Sequence, residues 1–178
     1  MKRYFDTEEE MEEALAGLSE ICCPACGGKR TLLRHDYLWK SGGEANGMRG
    51  KRVYCNARAA GLKGCGRTFT FWLSDTLRGR CLQAAALMRF ILGLLAGLSP
   101  WKAWKNAKTG MTLGTGYRTF RRLVYQQSMI RTDLFGLSPP LLEIKEKTPL
   151  SETLKILKEA LGVNAVSAYQ KTLQKAFP

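Results

Sequence analysis

Alternation of apolar and polar positions predicts three strands in the first half of the chain. Residues 31–39 (Thr-Leu-Leu-Arg-His-Asp-Tyr-Leu-Trp) predict the first strand. Gly42, Gly43, Gly47 and Gly50 predict a flexible loop after it, and Lys51 to Tyr54 a second strand. Arg67 to Trp72 predict the third, with Thr68 and Thr70 alternating against Phe69 and Phe71. Ahead of the strands, residues 6–20 predict a short acidic helix. Phe5, Met11, Leu15 and Leu18 fall on one side of it, and Glu8, Glu9, Glu12 and Glu13 elsewhere. Thr7 followed by Glu10 has the spacing of a capping box.

Beyond Trp72 the apolar spacing turns helical. Ser74 is expected to cap a long helix from Asp75 to Leu95, which Gly97 ends. Ser99-Pro100 opens a short helix, Trp101 to Ala107, with serine as cap and proline at the first position. Thr109 to Thr112 form a turn, and a third helix runs from Leu113 to Arg131 with Leu113, Tyr117, Phe120, Leu123 and Val124 inward. Pro139-Pro140 marks a linker. Thr148-Pro149 starts a helix to Leu161 with Leu154, Leu157 and Leu161 inward. Gly162-Val163-Asn164 is the next turn, with Asn164 capping a helix from Ala165 to Ala176.

Cysteine spacing gives the strands a purpose. Cys23-Pro24-Ala25-Cys26-Gly27 and Cys55 with Cys65-Gly66 are two pairs on either side of the predicted hairpin, each with glycine directly after its second cysteine. Glycine lets the backbone turn so that amides point at thiolates, and two such knuckles assemble a tetrahedral zinc site. The second pair holds a loop from Asn56 to Gly64. Cys22 is an alternative to Cys23; the proline after Cys23 favours Cys23. His35 reads as a strand surface residue, and Cys81 as a small core residue. A three-stranded ribbon this small buries too little surface to fold alone; a bound metal supplies on the order of 10 kcal/mol. The fold class expected is α+β, a small three-stranded zinc ribbon followed by helical helix-turn-helix elements. The expected divisions are 1–20 (acidic helix), 21–73 (ribbon), 74–135 (helix-turn-helix domain) and 136–178 (linker and helical hairpin, itself a possible second helix-turn-helix).

Charge points to the partner. The net charge of +13 is unevenly distributed: residues 21–135 hold twenty bases against four acids, while residues 1–20 are net acidic. Such a block suits a polyanion, and double-stranded DNA is the expected one. Its excess charge would neutralise roughly six to ten phosphates. The start of the chain has no signal-peptide pattern, and the apolar run Ala84 to Leu98 contains Arg89 and is too short to span a bilayer. The expectation is a soluble cytoplasmic protein with no membrane association. A transposase or other protein partner is expected to dock, if at all, on the acidic helix or the C-terminal hairpin. The acidic helix would alternatively mask the basic face.

A long helix, a short helix, a glycine-bearing turn and a longer helix form a helix-turn-helix order. On the last of these, Thr115, Arg118, Thr119 and Arg122 share the side opposite the apolar residues, with Arg121 at its edge. Arginine pairs with guanine edges or phosphates, and threonine contacts thymine methyls or phosphates. Arg49, Lys51, Arg52, Arg58, Lys63 and Arg67 of the ribbon are expected on the DNA backbone. Gln170 and Lys171, with Ser167 and Gln174, are expected on the polar face of the last helix.

The segment Cys-Pro-Ala-Cys-Gly, then Arg52-Val53-Tyr54-Cys55, then Cys65-Gly66-Arg67-Thr68-Phe69 and the helices after it resembles the N-terminal zinc-ribbon and helix-turn-helix region of bacterial insertion-sequence transposases and their small end-binding proteins. The resemblance covers about residues 22–125. It implies zinc held by Cys23, Cys26, Cys55 and Cys65, base or phosphate contact through Arg118, Arg121 and Arg122, and binding to mobile-element ends or an operator. The Asn56–Gly64 insertion and the 136–178 tail depart from that pattern. No carboxylate triad, phosphate loop or nucleophile motif is present, so no catalysis is expected. A second expectation is a nucleoprotein subunit whose ribbon docks protein, RNA or single-stranded DNA, with Tyr37, Trp39, Tyr54, Phe71 and Trp72 available for stacking.

Overall fold

The computed structural model describes residues 1–39, 47–56, 64–78, 82–137 and 147–178. Arg58, Lys63, Cys81, the glycines at 42 and 43, and the Pro139-Pro140 linker lie outside the described residues. The chain divides into two compact units, Met1–Thr76 and Leu77–Pro178.

The first unit is a mixed sheet with a helix on one face. Its strands are β1 (Tyr4–Phe5), β2 (Leu32–Trp39), β3 (Met48–Cys55) and β4 (Thr68–Leu73), in the order β1-β4-β3-β2. The three strands expected from alternation are joined by a fourth. β1 runs parallel to β4, with Tyr4 opposite Trp72 and Phe5 opposite Leu73. Gly50 sits within β3 and not in a loop: a Cβ there would lie 2.1 Å from the Phe71 carbonyl oxygen, so glycine lets the neighbouring strand close.

The acidic helix α1 (Glu8–Ala16) has the expected apolar side. Met11 and Leu15 join Phe5, Leu18, Val53, Phe71 and Leu73 in one core. Burying side chains of this size stabilises by about 1.5–3 kcal/mol each, so α1 is part of the ribbon's core and not a detachable arm. Thr7 caps it, its Oγ1 accepting from the Glu10 amide at 3.2 Å. The Glu10 carboxylate reaches one residue further back than in a capping box and accepts from the Asp6 amide at 2.8 Å.

Among the described residues the second unit has five helices: α2 (Ala84–Leu95), α3 (Pro100–Asn106), α4 (Leu113–Phe135), α5 (Pro149–Leu161) and α6 (Ala165–Leu173). The helix expected from Asp75 begins instead at Ala84. Ser74 does not cap it; the Ser74 hydroxyl donates to Asp6 Oδ1 at 3.1 Å and its amide to the Phe5 carbonyl at 2.8 Å. Ser99 and Thr148 do cap α3 and α5, each with proline at the first position. Asn164 makes no side-chain capping bond, and α6 ends at Leu173, short of Ala176. Leu154, Leu157, Val166 and Tyr169 share one core with Leu87, Phe90 and Ile91 of α2 and Leu123, Ile130 and Leu134 of α4. The C-terminal hairpin therefore completes the core of the second unit.

Trp104 fixes the start of α4. It is 2% exposed, meets Phe90 edge-on at 5.1 Å, and its indole N–H donates to the Thr112 carbonyl at 3.1 Å. Gly116 lies against its ring, where a Cβ would come within 2.6 Å of ring carbon.

Candidate metal centre and basic helix face

The two cysteine knuckles have the same backbone frame. In the first, the Gly27 amide donates to the Cys23 carbonyl at 2.8 Å and the Cys23 amide to the Gly28 carbonyl at 2.9 Å. In the second, the Gly66 amide donates to the Cys55 carbonyl at 3.0 Å and the Cys55 amide to the Arg67 carbonyl at 2.9 Å. Gly27 and Gly66 hold φ of +70° and +71°, a region costly for other residues. The chain between Cys55 and Cys65 leaves this frame intact. Gly64 makes the closure possible, since a Cβ there would meet the Asn56 carbonyl oxygen at 1.9 Å.

These frames bring four sulfurs together. Sγ atoms of Cys23, Cys26, Cys55 and Cys65 all lie within 4.8 Å of one another. Cys23 and Cys65 are 3.7 Å apart, and Cys26 and Cys55 3.8 Å. A tetrahedral thiolate site with metal–sulfur bonds of about 2.3 Å has sulfur–sulfur edges of about 3.8 Å. The arrangement therefore fits a four-thiolate metal ion. Cys23 points into the cluster and is buried, whereas Cys22 is exposed and outside it.

Amides and a hydroxyl surround the sulfurs. The Ala25 amide donates to Cys23 Sγ at 3.4 Å and the Cys65 amide to Cys55 Sγ at 3.2 Å. Thr31, buried beside the cluster, places its Oγ1 3.2 Å from Cys55 Sγ. Without metal, burial raises the Cys55 thiol, but Thr31, the Cys65 amide and the neighbouring thiols outweigh it and lower its pKa to about 7. For Cys26 the Gly28 backbone lowers the pKa, and burial with the other three thiols overcomes this, raising it to about 11. Thr31 was not legible as a site residue; its only sequence mark is its place just after the first knuckle.

The ribbon's basic residues have separate fates. Lys51 is a correction: it is 6% exposed, ion-paired with Glu12 of α1 and stacked 4.3 Å over the Tyr37 ring, so it is not available to a DNA backbone. Burial lowers its pKa, and Glu8 opposes this. Arg34 shares Glu12 at 3.3 Å. Arg49 is half-buried in β3, while Arg52 and Arg67 are exposed. Phe71, expected among the stacking aromatics, is 1% exposed and belongs to the core.

The phase of α4 also differs from the apolar reading. Gly116, Thr119, Leu123, Ile130 and Leu134 are buried, while Leu113 and Tyr117 are 44% and 53% exposed. Thr119 is therefore a core contact and not a DNA contact. Thr115 is half-buried and its hydroxyl meets that of Thr112 at 3.2 Å. Arg118, Arg121 and Arg122 are exposed as expected, and Arg118 Nε donates to the Gly114 carbonyl at 3.3 Å. Tyr125, 79% exposed, continues the same stripe one turn on.

At the C-terminal hairpin, Gln170 is a further correction. It is fully buried, and its Oε1 accepts from the Phe177 amide at 3.0 Å. Lys171 is half-buried. No described helix is long and apolar enough to cross a membrane. No family model, no curated protein and no solved structure matches this chain.

Proposed function

We propose that the chain is a zinc protein that binds double-stranded DNA without chemistry of its own, recognising mobile-element ends or an operator. The observation that carries this reading is the solvent face of α4. Arg118, Arg121 and Arg122 are exposed beside Tyr117 and Tyr125, with Arg121 opposite a buried stripe of Gly116, Thr119 and Leu123 and Arg118 and Arg122 along its flank. A helix with that division enters a major groove while staying packed on its own unit. α3, the turn after it and α4 act as the helix-turn-helix, and the first turns of α4 are the recognition segment. The guanidinium groups pair with base edges and phosphates, and the tyrosine hydroxyls with phosphates.

Zinc is the metal that a closed set of four cysteines suits best, and Cys23, Cys26, Cys55 and Cys65 hold it. Four thiolates leave no open position, so the ion serves structure alone. The ribbon then presents Arg52 and Arg67, both exposed, to the phosphate backbone.

The test is a paired titration on a duplex selected from a random pool and on a scrambled duplex. Arg118→Ala or Arg122→Ala is expected to cost about 1–3 kcal/mol on the selected duplex and much less on the scrambled one. Arg67→Ala is expected to weaken both by similar factors. Unchanged affinity in both α4 variants would remove α4 from the interface and the reading with it.

A further inference from the structure

The hairpin of β2 and β3 carries a second group of side chains at the end away from the cysteines. Leu32 pairs with Cys55 at the metal end, and Trp39 with Met48 at the other. After Arg34 β2 carries one extra residue, since Arg34 opposes Val53 and Tyr37 opposes Lys51, so His35 and Asp36 together face Arg52; a second shift, between Leu38 opposite Gly50 and Trp39 opposite Met48, restores the count. A bulge switches the face on which later side chains emerge. Here it puts Tyr37 on the same face as Arg34, and Trp39, two residues on, emerges beside Tyr37 on this edge strand, their rings stacked at 5.8 Å with planes 22° apart. They are 50% and 61% exposed.

Cations adjoin this stack. The Lys51 ammonium lies 4.3 Å from the Tyr37 ring centre and steadies it. Arg34 and Arg52 line the shallow pocket at the bulge together with His35, Asp36 and Tyr37. Arg34 shares its carboxylate, Glu12, with Lys51, and Arg52 reaches Asp36 only at 4.0 Å. Both guanidinium side chains are about half exposed, at 55% and 46%. An external anion can therefore engage them without unburying anything.

Ordered, exposed aromatic rings beside half-free guanidinium groups suit a ligand that offers planar bases and phosphates together. A duplex hides the faces of its bases, whereas a single strand presents them. We propose that this edge of the hairpin binds single-stranded nucleic acid, with a base stacking on Trp39 and a flanking phosphate pairing with Arg34. The site belongs to the ribbon and does not depend on the α4 reading.

The experiment titrates the full metal-loaded chain against a labelled oligo(dT), an oligo(U) of the same length and a duplex. Trp39→Ala is expected to weaken oligo(dT) binding roughly tenfold or more while leaving duplex affinity within about twofold. Trp39→Phe is expected to recover most of the loss, which a folding defect would not allow. Arg34→Gln is expected to flatten the salt dependence on oligo(dT). Preference between oligo(dT) and oligo(U) identifies the strand as DNA or RNA. No oligonucleotide binding by the native chain, full binding by Trp39→Ala, or an equal loss on the duplex would each overturn the proposal. Arg118→Ala separates the two sites, since it is expected to lower duplex binding and leave oligo(dT) binding unchanged.

Discussion

Cys26→Ser is expected to abolish metal binding and melt the ribbon, while Cys22→Ser leaves both intact. Cys26 is one of four sulfurs with a fixed place in the cluster, and its knuckle frame is closed by Gly27. The core of the first unit is small: Phe5, Met11, Leu15, Leu18, Val53 and Phe71 are its main side chains. A core of that size leaves only a few kcal/mol of stability, whereas a structural zinc site contributes on the order of 10 kcal/mol. Cys22 is exposed and lies outside the cluster, so its thiol has nothing to lose. Metal analysis together with amide chemical-shift dispersion checks the pair. One metal per chain retained by Cys26→Ser, or lost by Cys22→Ser, would mean that the ligand set is wrong.

The second large effect lies at the start of α4. Trp104→Ala is expected to destabilise the helical unit by about 3–5 kcal/mol, because it empties a fully packed site. It also leaves the Thr112 carbonyl without the indole N–H. Two glycines in the same helix offer a sharper comparison. Alanine for glycine inside a helix ordinarily gains about 1 kcal/mol. Gly114→Ala is expected to show that gain, since the nearest atom to its Cβ would be Thr112 Oγ1 at 3.9 Å. Gly116→Ala is expected to lose about 1–3 kcal/mol, because its Cβ would sit 2.6 Å from the Trp104 ring. Urea unfolding measures all three, and equal signs for the two glycine variants would contradict the packing.

These particulars also mark how far the sequence alone carries. Knuckle spacing and the glycines after Cys26 and Cys65 located all four sulfurs, because the backbone turn and the ligand are encoded within a few residues of each other. The strands from 31 to 73 and the Thr148-Pro149 cap were legible for the same local reason. β1 was not, since Tyr4 and Phe5 are two residues whose strand identity comes from β4, far along the chain. Ser74 looked like a cap until Asp6 took its hydroxyl. Lys51 and Gln170 looked like surface residues because their partners, Glu12 and the Phe177 amide, are set by tertiary packing. The phase of α4 was misread at its first turns. Periodicity seeks large apolar residues inside, but Trp104 already fills that space and admits only Gly116.

Salt dependence of duplex binding is the most direct test of the function proposed for this chain. Lys102, Lys105, Lys108, Arg118, Arg121 and Arg122 are all exposed on and beside α3 and α4. If each releases a counterion together with Arg52 and Arg67 of the ribbon, the plot of log affinity against log salt has a slope of about −7. Titration of the metal-loaded protein on a short duplex at several salt concentrations gives the value. A slope near −7 is the predicted result, and one flatter than about −2 would contradict DNA binding through these basic residues.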